Sequence, residues 1–122
     1  MQKIFSEDSI RFTEQDQEIA AIREETGEGK VTFFLTGSLN SETANDLADE
    51  MAAMIISGQE ILLNMEEVTY LASSVMEALL RMEKKLEEKG KFMQILRMPQ
   101  KIYDDFKARG MHELFEIEVI KK

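Results

Sequence analysis

The sequence predicts a single α/β domain built on a mixed β-sheet of about five strands, in the order β-β-α-β-α-β-α-β. Three observations carry that expectation. Short runs rich in β-branched and aromatic residues alternate with stripes of helical spacing, the pattern of strands joined by crossover helices. Glycines at positions 27, 29, 37, 58, 90 and 110 punctuate these segments. The chain has 122 residues, one domain's length and enough to bury roughly two-thirds of the unfolded surface.

Residues 1–16 are polar and weakly patterned. They read as an N-terminal arm, with a short strand at Ser9-Ile10-Arg11-Phe12, ahead of a domain spanning 17–122. Glu18–Glu24 fits strand or helix by periodicity. The turn Thr26-Gly27-Glu28-Gly29-Lys30 and the β-rich Val31–Thr36 that follow make the pair a hairpin. Gly37 ends that strand. Ser38-Leu39-Asn40-Ser41 then offers several helix N-caps, with Glu42 placed to suit the dipole. Ala44, Leu47, Ala48, Met51 and Ile55 form one apolar stripe, and Gly58 stops the helix.

Ile61-Leu62-Leu63 is a continuous apolar run that suits a central strand. Asn64–Leu71 reads as the connection to a second helix, which starts near Ser73 or Ser74 and runs to about Lys89. Its inward stripe is Val75, Leu79, Met82 and Leu86, while Glu77, Arg81, Lys84, Lys85, Glu87 and Glu88 face water. Phe92–Leu96 is another strand. Pro99 suits the first turn of a third helix, with Ile102 and Phe106 inward and Gly110 past its end. Phe115–Ile120 alternates as a last, half-exposed strand.

Composition narrows the function. The chain lacks cysteine, which excludes disulfides, thiol nucleophiles and thiolate metal sites. Fifteen basic residues against 24 acidic give a net charge of −9. That sign opposes binding to nucleic acid or anionic lipid. The most apolar run, Met51–Ile56, is far below the ~20 residues that span a bilayer, and the acidic start lacks the apolar core of a signal peptide. A cytoplasmic protein is expected, without membrane insertion. Dinucleotide and P-loop fingerprints are absent, so no cofactor or enzymatic activity is expected. His112 has no nucleophile at a defined spacing and reads as a surface or helix-end residue. Glu66-Glu67 reads as a solvated pair of carboxylates.

The segment Tyr70-Leu71-Ala72-Ser73-Ser74-Val75-Met76-Glu77 places two serines where a loop leaving a central strand meets a helix. Carboxyl ends of such strands are where ligands and partners bind. Ser74-x-x-Glu77 reads as a capping box. The same position suits a phosphoserine, because a helix start tolerates a phosphate, which adds about −1.5 to −2 charges.

Two stretches resemble the STAS domain, the fold of bacterial anti-sigma factor antagonists. One is Phe34-Leu35-Thr36-Gly37-Ser38-Leu39-Asn40-Ser41-Glu42-Thr43-Ala44, where the family shows strand, glycine, leucine and Asp, then Thr-Ala; Asn40 stands at the Asp. The other is Ile61–Ser74, an apolar strand ending in Asn64, a turn, an apolar or aromatic pair, then the place of the family's Asp-Ser-Ser-Gly. Lys89-Gly90-Lys91-Phe92 and Arg109-Gly110-Met111 also fit, so the resemblance covers residues 17 to 120. It implies a STAS-type fold and a protein partner, an anti-sigma factor that is also a serine kinase, with a phosphatase resetting the switch. By the same resemblance Ser74 is the phosphorylation candidate, and Asn40, Ser73, Ser74, Val75 and Met76 meet the partner, Met76 as an exposed, adaptable contact. Ala72 replaces the family's Asp and Val75 its Gly. Those departures keep open an alternative, a non-phosphorylated adaptor subunit of a transport or signalling assembly.

Overall fold

The computed structural model describes residues 1–120; residues 121 and 122, the end of the expected domain, lie outside them. Among the described residues the elements are β1 (Gln2–Phe5), β2 (Ser9–Glu14), β3 (Gln17–Gly27), β4 (Lys30–Leu39), α1 (Ser41–Ile56), β5 (Glu60–Leu71), α2 (Ser73–Glu87), β6 (Gln94–Met98), α3 (Gln100–Ala108) and β7 (Glu116–Val119). The strands form one mixed sheet in sequence order. β1 to β4 are antiparallel neighbours, and β4 to β7 are parallel.

The α/β class, the three helices and the parallel strands agree with the sequence. The strand count does not: the sheet has seven strands rather than about five. The difference lies in residues 1–16, which form β1 and β2 within the sheet. The expected short strand at Ser9–Phe12 lies within β2, where Ile10 and Phe12 are buried in the core.

Local chemistry explains each boundary. Two-residue loops close both long hairpins, and their central residues all have positive φ: Gln15 and Asp16 between β2 and β3, Glu28 and Gly29 between β3 and β4. That is the type I′ arrangement, whose twist matches the strands. Glu18–Glu24 is strand, not helix, because it pairs on both sides. Gly37 does not end β4. It sits at φ +83° beside a register shift, and the strand continues to Leu39. Asn64–Leu71, expected as a connection, continues β5, whose pairing with β4 extends to Leu39 opposite Leu71. Pro99 is the N-cap of α3 rather than part of its first turn.

One core joins these elements. Phe12, Phe33, Leu63 and Ile95 from the sheet are fully buried with Leu47 and Met51 of α1, Leu79 and Leu86 of α2, and Phe106 of α3. Both expected helical stripes are inward; Ala48 alone is only partly buried. The core holds one carboxylate that the pattern did not reveal. Glu83 is buried on α2 and accepts the Met93 N–H at 2.9 Å, which ties α2 to the chain entering β6. Burial holds its carboxyl above the ordinary range.

Candidate functional site

Leu39 and Leu71 are register partners at the carboxyl ends of the parallel strands β4 and β5. Each chain turns at once into a helix, so the starts of α1 and α2 lie side by side. The Ala72 N–H donates to the Leu39 carbonyl at 2.9 Å and locks the two turns together.

The two starts are finished differently. Asn40 caps α1: its Oδ1 accepts the Glu42 N–H at 3.0 Å, and the Thr43 hydroxyl donates to its carbonyl at 2.7 Å. Its amide oxygen accepts there as a carboxylate oxygen does in an Asp cap. The N-cap of α2 is Ala72, which has no side-chain acceptor. Ser74 therefore stands inside the helix, and its capping box with Glu77 is not formed. Aspartate at position 72 would accept a free amide and favour the helix dipole. Ala72→Asp is expected to raise stability by about 1 kcal/mol, read as an increase in denaturation midpoint at unchanged m.

Ser73 is exposed at the first helical position. Ser74 is half-buried, and its Oγ is buried with no hydrogen-bond partner among the described residues. Val75 is fully buried and Met76 nearly so, at 0% and 2% exposure. Met76 is thus not the exposed contact expected from the sequence. α2 turns a broad apolar side toward the core, including Ala78, Leu79 and Met82, and its first turn already belongs to it. The surface at this end comes from Ser41, Glu42, Ser73 and Glu77, with half-buried Asn40 beside them. Tyr70, paired with Ser38, adds an aromatic side chain left 49% exposed. Reading Asn64–Leu71 as a connection hid the ladder position that presents it.

The other flagged residues lie apart from this arrangement. His112 follows α3 and meets the Tyr103 ring edge-on at 5.9 Å between centroids. Glu66 and Glu67 are exposed; Glu66 pairs with Arg97 at 2.6 Å, and that hydrogen bond holds its carboxyl below the ordinary range. Among the described residues no cluster of His, Asp and Glu is arranged to hold a metal ion, and no helix is long and apolar enough to cross a membrane.

A family model described as "Mlab, STAS domain" matches residues 22–117. No curated protein matches the sequence. Among solved structures, the Bacillus cell fate determinant SpoIIAA in its phosphorylated form aligns at 17% identity and TM-score 0.67, covering 83% of this chain and 92% of that one. An anti-sigma factor antagonist from Mycobacterium paratuberculosis aligns at 15% identity and TM-score 0.72, covering 87% and 89%. An anti-sigma-factor antagonist (STAS) domain protein from Planctomyces limnophilus aligns at 17% identity and TM-score 0.71, covering 82% and 91%.

Proposed function

The chain belongs to the STAS domain family, and we propose that within it this protein is a cytoplasmic, non-enzymatic regulator that binds an anti-sigma factor or related serine kinase. The observation that carries the reading is the pair of helix starts at the carboxyl ends of β4 and β5, which offers Ser73 and half-buried Asn40 and Ser74 on one surface. The anti-sigma factor antagonists share the fold that builds this surface. Val75 and Met76 contribute from beneath, by fixing the first turn of α2.

In this reading Ser74 is the switch. Its hydroxyl rotates out of its buried position before it accepts a phosphate, which then lies at a helix start without a competing side-chain cap. On a chain of net charge −9 the added charge, about −1.5 to −2, repels an acidic or apolar partner with little change of fold. The test is binding of the unmodified chain and of Ser74→Asp to the anti-sigma factor captured from the source cell. The variant is expected to bind on the order of tenfold more weakly. Equal binding rejects the switch.

The buried Ser74 Oγ, with Ala72 and Val75 in place of Asp and Gly, favours a second reading. Here the chain is an adaptor subunit whose helix starts dock on another subunit without modification. Intact mass of the protein from its own cells separates the two: a phosphatase-sensitive species supports the switch, and its consistent absence supports the adaptor.

A further inference from the structure

A second surface stands apart from the helix starts. The parallel strands β4 to β7 follow one another across the sheet in sequence order, so right-handed crossovers put α1, α2 and α3 on the same face. Burial agrees. Phe33, Leu63 and Ile95 form one ladder row and are fully buried in the core with the helices. Their neighbours in sequence point the other way. Phe34, Leu62 and Leu96 are only half-buried there. Every strand is in the sheet and every helix is on the opposite side, so among the described residues no element covers them. Parallel strands are ordinarily covered on both faces. An apolar strip on the open side of this sheet therefore lacks its second layer.

The layout of the open face indicates what completes it. β5 runs down the middle of the five strands β3 to β7. Across them Arg23, Phe34, Asn64 and Leu96 are successive register partners in one row. On the β3 side, Arg23 lies over the Phe34 ring, 4.2 Å from its centroid, and donates to Glu25 at 2.7 Å. A guanidinium carries five N–H donors, so others are left for a second acceptor. On the β7 side, a shallow groove of about 220 Å³ is lined by Gln94, Leu96, Glu116 and Glu118, with Ile95 and Ile117. Neither Glu116 nor Glu118 forms an ion pair among the described residues. Donors on one side of β5 thus match an acidic groove on the other, with the apolar strip between them.

We infer that a second copy of this chain covers the face, the two sheets packing about a twofold axis that runs along β5. Such an axis keeps each residue at its height and exchanges the two sides of β5. β4 of one copy then lies over β6 of the other, and β3 over β7. Phe34 faces Leu96 of the second copy, because the two share a row. Asn64 lies on the axis, where its amide meets the same amide of the second copy. Arg23 reaches the groove between Glu116 and Glu118 of the second copy, and its planar fork suits carboxylates. Each contact occurs twice, as a twofold interface requires. The twist of the strands fits two sheets stacked at about −30°. Five strands at about 4.8 Å and four residues at about 3.3 Å make a face of roughly 20 by 13 Å. That is the low end for a specific interface, so the dimer is a reversible one. The helix starts lie in the other layer and stay open to a partner.

The test is sedimentation equilibrium of the full chain from about 5 to about 500 μM, the range a weak interface demands. About 0.15 M salt screens the net charge of −9 on each copy. A monomer–dimer equilibrium is expected, and Leu96→Asp is expected to abolish it. Arg23→Glu and Glu118→Arg are each expected to weaken the dimer on the order of tenfold. The chain carrying both substitutions is expected to recover most of that loss. Residues 23 and 118 stand on strands four apart in the sheet, so recovery reports contact between copies. A chain that stays monomeric throughout overturns the inference and leaves the face to a different protein. A dimer that persists in Leu96→Asp also overturns it, since association then uses another surface, such as the edge of β1. If Leu96→Asp fails to fold, the charge exchange decides: absence of recovery overturns the inference.

Discussion

Replacing Gly37 with Ala is expected to destabilise the chain by about 2–5 kcal/mol and to lower Tm by on the order of 10–20 °C. Two independent causes combine. Gly37 has φ +83°, where an L-residue costs about 1–2 kcal/mol. In addition, an ideal Cβ at position 37 overlaps the Ile19 carbonyl oxygen and lies 3.0 Å from the Ile19 carbonyl carbon and 3.1 Å from the Ala20 Cα. These are backbone atoms of the neighbouring strand, so the clash is not relieved by a rotamer change. β3 must move off β4 where Ala20 faces Gly37, and forced overpacking of this kind costs about 1–3 kcal/mol. Gly58 separates the causes. It has the same φ, +83°, yet a Cβ there meets no atom within 4 Å. Gly58→Ala is expected to cost only the conformational part, about 1–2 kcal/mol. Thermal or urea unfolding of the two variants checks the difference, and equal losses would refute the steric argument.

The contrast between these glycines marks what the sequence discloses. A glycine announces a break in regular structure, and at position 58 the break is a helix end. At position 37 it is a strand running too close to its neighbour for a side chain, and only the partner strand reveals that. The same limit applies to β5. Its buried residues run Ile61, Leu63, Met65 and then Val68 and Leu71, so the spacing changes from two to three. The register with β4 shifts between Phe34 and Thr36 and again between Gly37 and Ser38. A period-two search therefore ends at the first shift and reads the remainder as a connection. Helices were easier, because Leu47, Met51 and Ile55, or Val75, Leu79, Met82 and Leu86, keep their spacing whatever they pack against.

The site was legible as a place and less so as a surface. Asn40, Ser73 and Ser74 mark helix starts by their chemistry, and the structure puts those starts together. Which side chains face outward depends on where α2 rests. Its bed includes α1 as well as the sheet, so Val75 and Met76 are both taken into the core. No local pattern distinguishes a methionine that meets a partner from one that fills a gap.

Phe12→Ala is expected to cost about 3–5 kcal/mol, the range for truncating a buried phenylalanine, although Phe12 lies in a segment whose composition reads as an arm. β1 shows no alternation because all four of its residues are exposed. β2 carries a register shift between Phe12 and Thr13 that buries both in succession. The apolar signal of the segment thus rests on Ile10 and Phe12, and Phe12 is fully buried. The check is urea unfolding of Phe12→Ala beside Phe5→Ala. Phe5 is 65% exposed on β1, and its truncation is expected within about 0.5 kcal/mol of the parent. A loose arm predicts small effects at both positions, whereas an integral hairpin predicts a large one at Phe12 alone. Deleting residues 1–16 extends the argument. It uncovers the edge of β3, whose amides and carbonyls are paired with β2 along Ser9–Glu14. Such an unprotected edge recruits other strands, so the shortened chain is expected to self-associate in sedimentation or light scattering.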